Sequence, residues 1–348
     1  MACIRIVRLT LILLLVAGVA GCSPATETVP GWPASDSERT VPKPAEPIRW
    51  PLTGLDAPSA EAIRQRVVSV KIENSPAARP QSGLQQADVV YETVAEGGIT
   101  RFNAMFHSQV PDPVGPVRSA RLSDITIVPQ YGALFVFSGA SASVNSAVRS
   151  AGLENLSQDA GVTAPFFRSS ARSAPHNLYA HLDTVRSVAV RRGLGGEADP
   201  TRLMFVTGSS TTTAGVSALS IDIPFSTANR VLWNYDATAD AYLRTNNGRA
   251  HTDALTGEQI AARNVVVMWA QYVPQGKRDS AGSTTYDVTL KGTGKAAVFI
   301  SGRRLDATWE ADGSAPPTFK AADGTPIKLA RGNTWFQVID SGISITSQ

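Results

Sequence analysis

VVSVKIENSPAARPQSGLQQADVVYETVAEGGITRFNAMFH, residues 67–107, decides the fold class. Val67 to Ile72 is a β-branched run, which predicts a buried strand. Val89 to Ala95 and Arg101 to His107 read as two further strands. Glu96-Gly97-Gly98 lies between them as a turn signal at hairpin spacing. NSPAARPQSGL, dense in turn residues, predicts a loop. Downstream, PDPVGPVRSAR (111–121) predicts a loop that runs into a helix over about 119–131. A short strand is expected at Leu134 to Phe137, and helices at 143–151 and 184–192, with Gly193 as the C-cap of the second. The region 50–205 is therefore expected to be a mixed α/β domain.

Beyond about Ala218 strands dominate and turn signals recur at short intervals. Asn247-Gly248, Ser301-Gly302 and Asp323-Gly324 each divide two strand-like runs, and VVVMW (265–269) is a buried strand. This predicts an antiparallel all-β domain at 215–348, with the boundary in the Gly/Ser/Thr-rich stretch Thr207 to Ser217. The fold class expected is α+β.

The N-terminus reads differently. Arg5 and Arg8 precede the apolar run Leu9 to Val16, and small residues follow to Gly21. That order predicts a signal peptide over residues 1–21. Val19-Ala20-Gly21-Cys22 resembles the lipobox of bacterial lipoproteins. The resemblance implies lipid on Cys22, membrane attachment through that lipid alone, and an extracytoplasmic location. The remainder of segment 22–49 carries six prolines among Ser, Thr, Ala and Glu, and predicts a disordered spacer.

Composition narrows the chemistry. The only cysteines are Cys3 and Cys22, so no thiol nucleophile or cysteine metal site is expected in the mature domain. The net charge of +3 falls to +1 without Arg5 and Arg8 (3 − 2), with no polybasic run. Nucleic acid is not an expected partner. No cofactor is expected, and the histidine spacing argues against zinc.

Four arginines in or beside turns, Arg79, Arg101, Arg118 and Arg121, suit bidentate capture of a carboxylate or phosphate. FVFSGASASVNSAV reads as strand, turn and helix start, with Ser141 or Ser143 as cap at an anion-favouring terminus. GPVRSAR and SGASAS are therefore expected to form one anion cleft, for a small anion or a cell-wall fragment, with Asn177 beside it. An alternative is that the arginines pair with Glu73, Glu92 and Glu96 as structural salt bridges. A hydrolytic alternative makes Glu73, Glu92 or Glu96 an acid/base pair assisted by His176 in SAPHNLY. GASAS falls one glycine short of a nucleophile elbow, and a capped helix start explains its serines more simply. Trp233, Trp269, Trp309, Trp335, Tyr235 and Tyr242 read as core, with a sugar-stacking face as the alternative. A third functional reading is a scaffold for an envelope protein partner.

SVKIENSPAARPQSGLQQADVVYETVAEGGITRFNAMF, followed by GPVRSARLSDI, resembles the YerB-type lipoproteins, the DUF3048 family. GTGKAAVFISGRRLDATWE and DGTPIKLARGNTWFQVI resemble the second domain of that family. The resemblance covers nearly all of the mature chain. It implies a two-domain lipoprotein and supplies no catalytic residues.

Overall fold

A computed structural model of the chain describes residues 46–196, 202–207, 214–278 and 284–348. The expected signal peptide, Cys22 and residues 23–45 of the expected spacer lie outside the described residues, whereas residues 46–49 are described and Arg49 bridges to Asp56.

The opening stretch folds as three adjacent strands: β1 (Val68–Glu73), β2 (Val89–Val94) and β3 (Thr100–Phe106). β3 lies between the other two and is antiparallel to both. Gly97 and Gly98 make the β2–β3 turn with φ of 67° and 73°, a left-handed conformation that a Cβ disfavours. β4 (Leu134–Val136) pairs in parallel with the first half of β1.

The second half contributes β5 (Ser220–Pro224), β6 (Arg230–Asp236), β7 (Ala241–Asn246), β8 (Asn264–Ala270), β9 (Gly292–Ile300), β10 (Arg303–Ala311), β11 (Thr318–Lys320) and β12 (Thr334–Asp340). It is all-β, and its strands pair antiparallel except β8 with β12, which run parallel. The overall class is α+β.

β12 closes the architecture. It inserts between β8 and β2, parallel to both, giving the order β11-β10-β9-β8-β12-β2-β3-β1-β4. The halves on either side of residues 207–217 thus share one sheet, and Glu46–Gln348 is one compact unit. Centrality explains the composition: β2 (VVYETV) and β12 (TWFQVID) are covered on both faces, so their apolar residues do not alternate with exposed ones.

One face of the sheet packs Val70, Ile72, Val90, Phe102 and Trp335 against the β5–β7 sheet through Trp233 and Tyr242. The opposite face packs Tyr91, Met105, Phe336 and Val338 against two helices through Ile127, Val144 and Val148. Four helices are described: α1 (Ala60–Ile63), α2 (Leu122–Ile127), α3 (Ala142–Ser150) and α4 (Leu182–Arg191). The helix expected over 119–131 is shorter. α2 begins after Arg121, and residues 128–131 tighten into a 3-10 turn at Pro129, which has no N–H to donate. Trp233, Trp335, Trp309 and Tyr242 are at most 2% exposed and Trp269 is 8% exposed, so these aromatics are core and form no open sugar-stacking face.

Candidate functional site

The length of β4 sets up the site. It covers only residues 68–70 of β1. The free edge of residues 71–73 is taken by the GPVRSAR loop: Glu73 N donates to Pro116 O at 3.0 Å, and Arg118 N to Lys71 O at 2.8 Å. On its other side the loop meets SGASAS, through Ser138 N to Arg118 O and Ala120 N to Gly139 O, both 3.0 Å. Val117 N donates to Leu178 O at 2.7 Å, which brings the His176 loop alongside.

Arg101, Arg118 and Arg121 converge there with Glu73, Glu96 and His176. Glu73, 1% exposed, contacts His176 Nδ1 with both oxygens at 2.9 and 3.0 Å and accepts from Ser75 Oγ at 2.9 Å. Arg118 Nε stands 3.3 Å from Glu73 Oε2, too far off line for a hydrogen bond. Glu96 faces two arginines: the Arg101 guanidinium at 3.6 Å, and Arg121, whose NH2 donates to it. Arg101 also donates to Ser119 O at 3.1 Å. Burial, then the neighbouring Arg121 cation, pushes Arg101 down to about 9, so it remains a cation at neutral pH. The Nε atoms of Arg101, Arg118 and Arg121 are all buried without a hydrogen-bond partner among the described residues.

Beneath the cluster lies a fully buried ion pair, Lys71 Nζ to Asp124 Oδ1 at 2.5 Å. Burial pushes the Lys71 ammonium down, and Asp124 offsets this. Asp124 Oδ2 accepts from Arg121 N at 2.7 Å, which fixes the start of α2 and with it Arg121. Sequence reasoning passed over this pair. The signal was a lysine at an inward position of a strand whose every residue is buried.

Three expected members lie elsewhere. Glu92 occupies the opposite face of the sheet: it pairs across to Phe102, whereas Glu73 pairs across to Arg101. Glu92 cannot form an acid/base pair with Glu73, because neighbouring register positions point to opposite faces. Its partners are Thr100 Oγ1 at 2.7 Å and Arg244 NH2 at 3.0 Å, both side chains of the Glu92–Arg244 pair being wholly buried. Arg79 belongs to the rim of that second network, donating to Asn74 Oδ1 at 2.9 Å and Asn74 O at 2.7 Å. Burial, then repulsion from Arg244, pushes Arg79 down to about 10. Asn177 ties its own loop together, donating to Ser169 O and Arg172 O at 3.0 and 3.1 Å and accepting from Arg168 at 2.8 Å.

Ser141 caps α3, accepting from Val144 N at 3.3 Å, and its hydroxyl lies 3.1 Å from that of Ser143. Arg244, the centre of the second network, lies 5.3–5.5 Å from the ring centroids of Phe102, Trp233 and Trp335. Its Nε donates to His251 Nδ1 at 2.9 Å, so His251 presents Nε2–H to Gln81 Oε1 at 2.6 Å. Burial, then the Arg244 and Arg79 cations, holds His251 well below the usual histidine range, which keeps this tautomer neutral. Among the described residues there is no group of three His, Cys, Asp or Glu side chains fit to hold a metal ion.

Two family profiles match the chain. Residues 52–195 match "Protein of unknown function (DUF3048) N-terminal domain", and residues 221–336 match the C-terminal domain of the same description. The chain belongs to the DUF3048 family. A relative, YerB of Bacillus subtilis (strain 168), is 32% identical over 306 residues, which is 86% of this chain and 88% of the relative. It bears the name "Putative lipoprotein YerB". The crystal structure of the Bacillus subtilis YerB protein superposes with a TM-score of 0.76 at 30% identity, covering 86% of this chain and 99% of that one. The likeness to YerB therefore spans most of this chain and nearly all of that structure.

Proposed function

We propose that this DUF3048 protein is an extracytoplasmic lipoprotein, lipidated at Cys22, that binds the carboxylate or phosphate of a small molecule or cell-wall fragment between Arg101, Arg118 and Arg121. The observation that carries the reading is a surplus of positive charge and of donors. Three guanidinium groups face two carboxylates, Glu73 and Glu96, leaving one cation in excess (3 − 2 = 1). Each of the three also keeps a buried Nε–H without a hydrogen-bond partner among the described residues. An anion carrying two or more oxygens suits such donors, because guanidinium groups bind planar oxyanions bidentately. The name of YerB supports the lipoprotein part of the reading.

Calorimetric titration of the chain from Ser23 onward with inorganic phosphate and with muramyl peptides tests it. Arg118 is partly exposed, so Arg118→Ala should leave thermal stability nearly unchanged while weakening binding about tenfold or more. Equal affinity in the variant would overturn the reading.

A second reading rests on one separate contact. Glu73 grips His176 Nδ1 with both oxygens, which favours Nδ1–H and leaves Nε2 as a proton acceptor beside the arginines. In that reading His176 takes a proton from water as the water attacks an ester or phosphoester held by the arginines, and returns it to the leaving oxygen as the ester bond breaks.

A further inference from the structure

The arginine cluster does not use all of the sheet edge on which it sits. Glu73, Arg101, Thr93, Val338 and Met268 lie on one register line across β1, β3, β2, β12 and β8. Just past Met268, a cleft of about 570 Å³ opens at Trp269 and Ala270, between β8, the start of β9 and residues 341–345. Three strand spacings separate β3 from β8, roughly 14 Å. The cleft is thus a place apart from the arginine cluster.

Its lining has a one-sided charge. Among the described residues, Lys295 and Arg304 are its only charged lining residues, and no Asp or Glu lines it. Arg304 is bound to Asp306 at 2.7 Å, but Asp306 is 71% exposed, so solvent screens that pair. Lys295 is exposed, has no hydrogen bond or ion pair among the described residues, and holds its Nζ 4.5 Å from the centroid of the Trp269 ring. Its neighbour must be a glycine: a Cβ at Gly294 would lie 2.5 Å from Trp309 Nε1. β9 therefore lies directly against an indole where it presents Lys295.

The uncharged lining is mixed. Gln271, Thr289, Thr293 and Ser344 offer neutral hydrogen-bonding groups, and Ile343 and Ile345 offer an apolar wall. A ligand that matches this has one carboxylate for Lys295, several hydroxyls and a carbon face. Sugar acids have that combination, and simple phosphate or acetate does not.

We propose that this cleft is a second, separate binding site that takes a carboxylate-bearing sugar through Lys295. The proposal does not depend on the arginine cluster. Its test is calorimetric titration of the chain from Ser23 with N-acetylmuramic acid and with N-acetylglucosamine, which lacks the carboxylate. The acid is expected to bind, with the neutral sugar about tenfold weaker or worse. Because the arginine cluster can take the same carboxylate, the titration is also run in Arg118→Ala, where the acid is still expected to bind and an added Lys295→Gln, a surface change, should weaken it about tenfold. Absence of binding, equal binding of the two sugars, no weakening from the added Lys295→Gln, or loss in Arg118→Ala would overturn the proposal. The last outcome would move the sugar acid to the arginine cluster, whereas failure of phosphate to bind there would leave this cleft untouched.

Discussion

Glu73 and Glu92 point to opposite faces of one sheet, one register step apart, and each is buried with its own arginine. Glu73 meets Arg118, which is partly exposed and has donors to spare. Glu92 meets Arg244, which is wholly enclosed by aromatic rings and polar side chains. The two carboxylates therefore separate a candidate binding face from a structural one.

Substitution should tell the two apart. Glu92→Gln leaves the buried Arg244 cation uncompensated, at a cost of about 3 kcal/mol or more in urea unfolding. Arg244→Met leaves Glu92 uncompensated at similar cost. The double variant should lose clearly less than the sum of the two, since it buries no lone charge. Additive losses would show that the pair is not coupled.

Lys71→Met removes the partner of Asp124, which is itself wholly buried. Asp124 keeps its bonds from Arg121 N and Asn103 Nδ2 but loses its countercharge. We expect about 3 kcal/mol of destabilisation at pH 7. Adding Asp124→Asn should recover much of the loss in urea unfolding, because no lone charge is then buried, and no recovery would locate the effect in packing.

Asp88 and His107 should oppose each other in acid. Burial raises Asp88 to about 6 and lowers His107 to about 4. The folded state holds the Asp88 proton where the unfolded chain has lost it, so this contribution disappears as pH rises from about 4 to 6. The folded state refuses the His107 proton where the unfolded chain accepts it, so that contribution disappears as pH falls from about 6.5 to 4. The two nearly cancel in the native chain. His107→Gln removes one side, so the variant should gain about 3 kcal/mol relative to the native chain between pH 7 and pH 4. Urea unfolding of both proteins at those pH values measures it, and a constant difference would contradict the assignment.

His176→Gln separates binding from turnover. If Nε2 is a base, hydrolysis of p-nitrophenyl acetate or phosphate should fall by about a hundredfold or more in the variant. Phosphate binding at the arginines should persist. Absence of turnover in the native chain would leave the binding reading alone standing.

Much of this was written into short windows of sequence. The strands of 67–107, the Gly97-Gly98 turn, the Ser141 cap and the all-β second half follow from β-branched runs, left-handed glycines and capping chemistry, which act over a few residues. The family likeness was equally legible, carried by EGGITRF and GPVRSAR. That Arg101, Arg118 and Arg121 gather beside Glu73, Glu96 and His176 depended on how far β4 extends along β1, because its shortness leaves an edge for the loop to occupy. That Glu92 and Arg79 stay away depended on strand register, which shifts a side chain between faces with every residue. Most remote from local sequence is the pairing of Thr334 with Val89 and with Asn264, which makes one sheet of two halves. No local propensity encodes it; burying β2 and β12 on both faces does, and that gain exists only once the whole chain has folded.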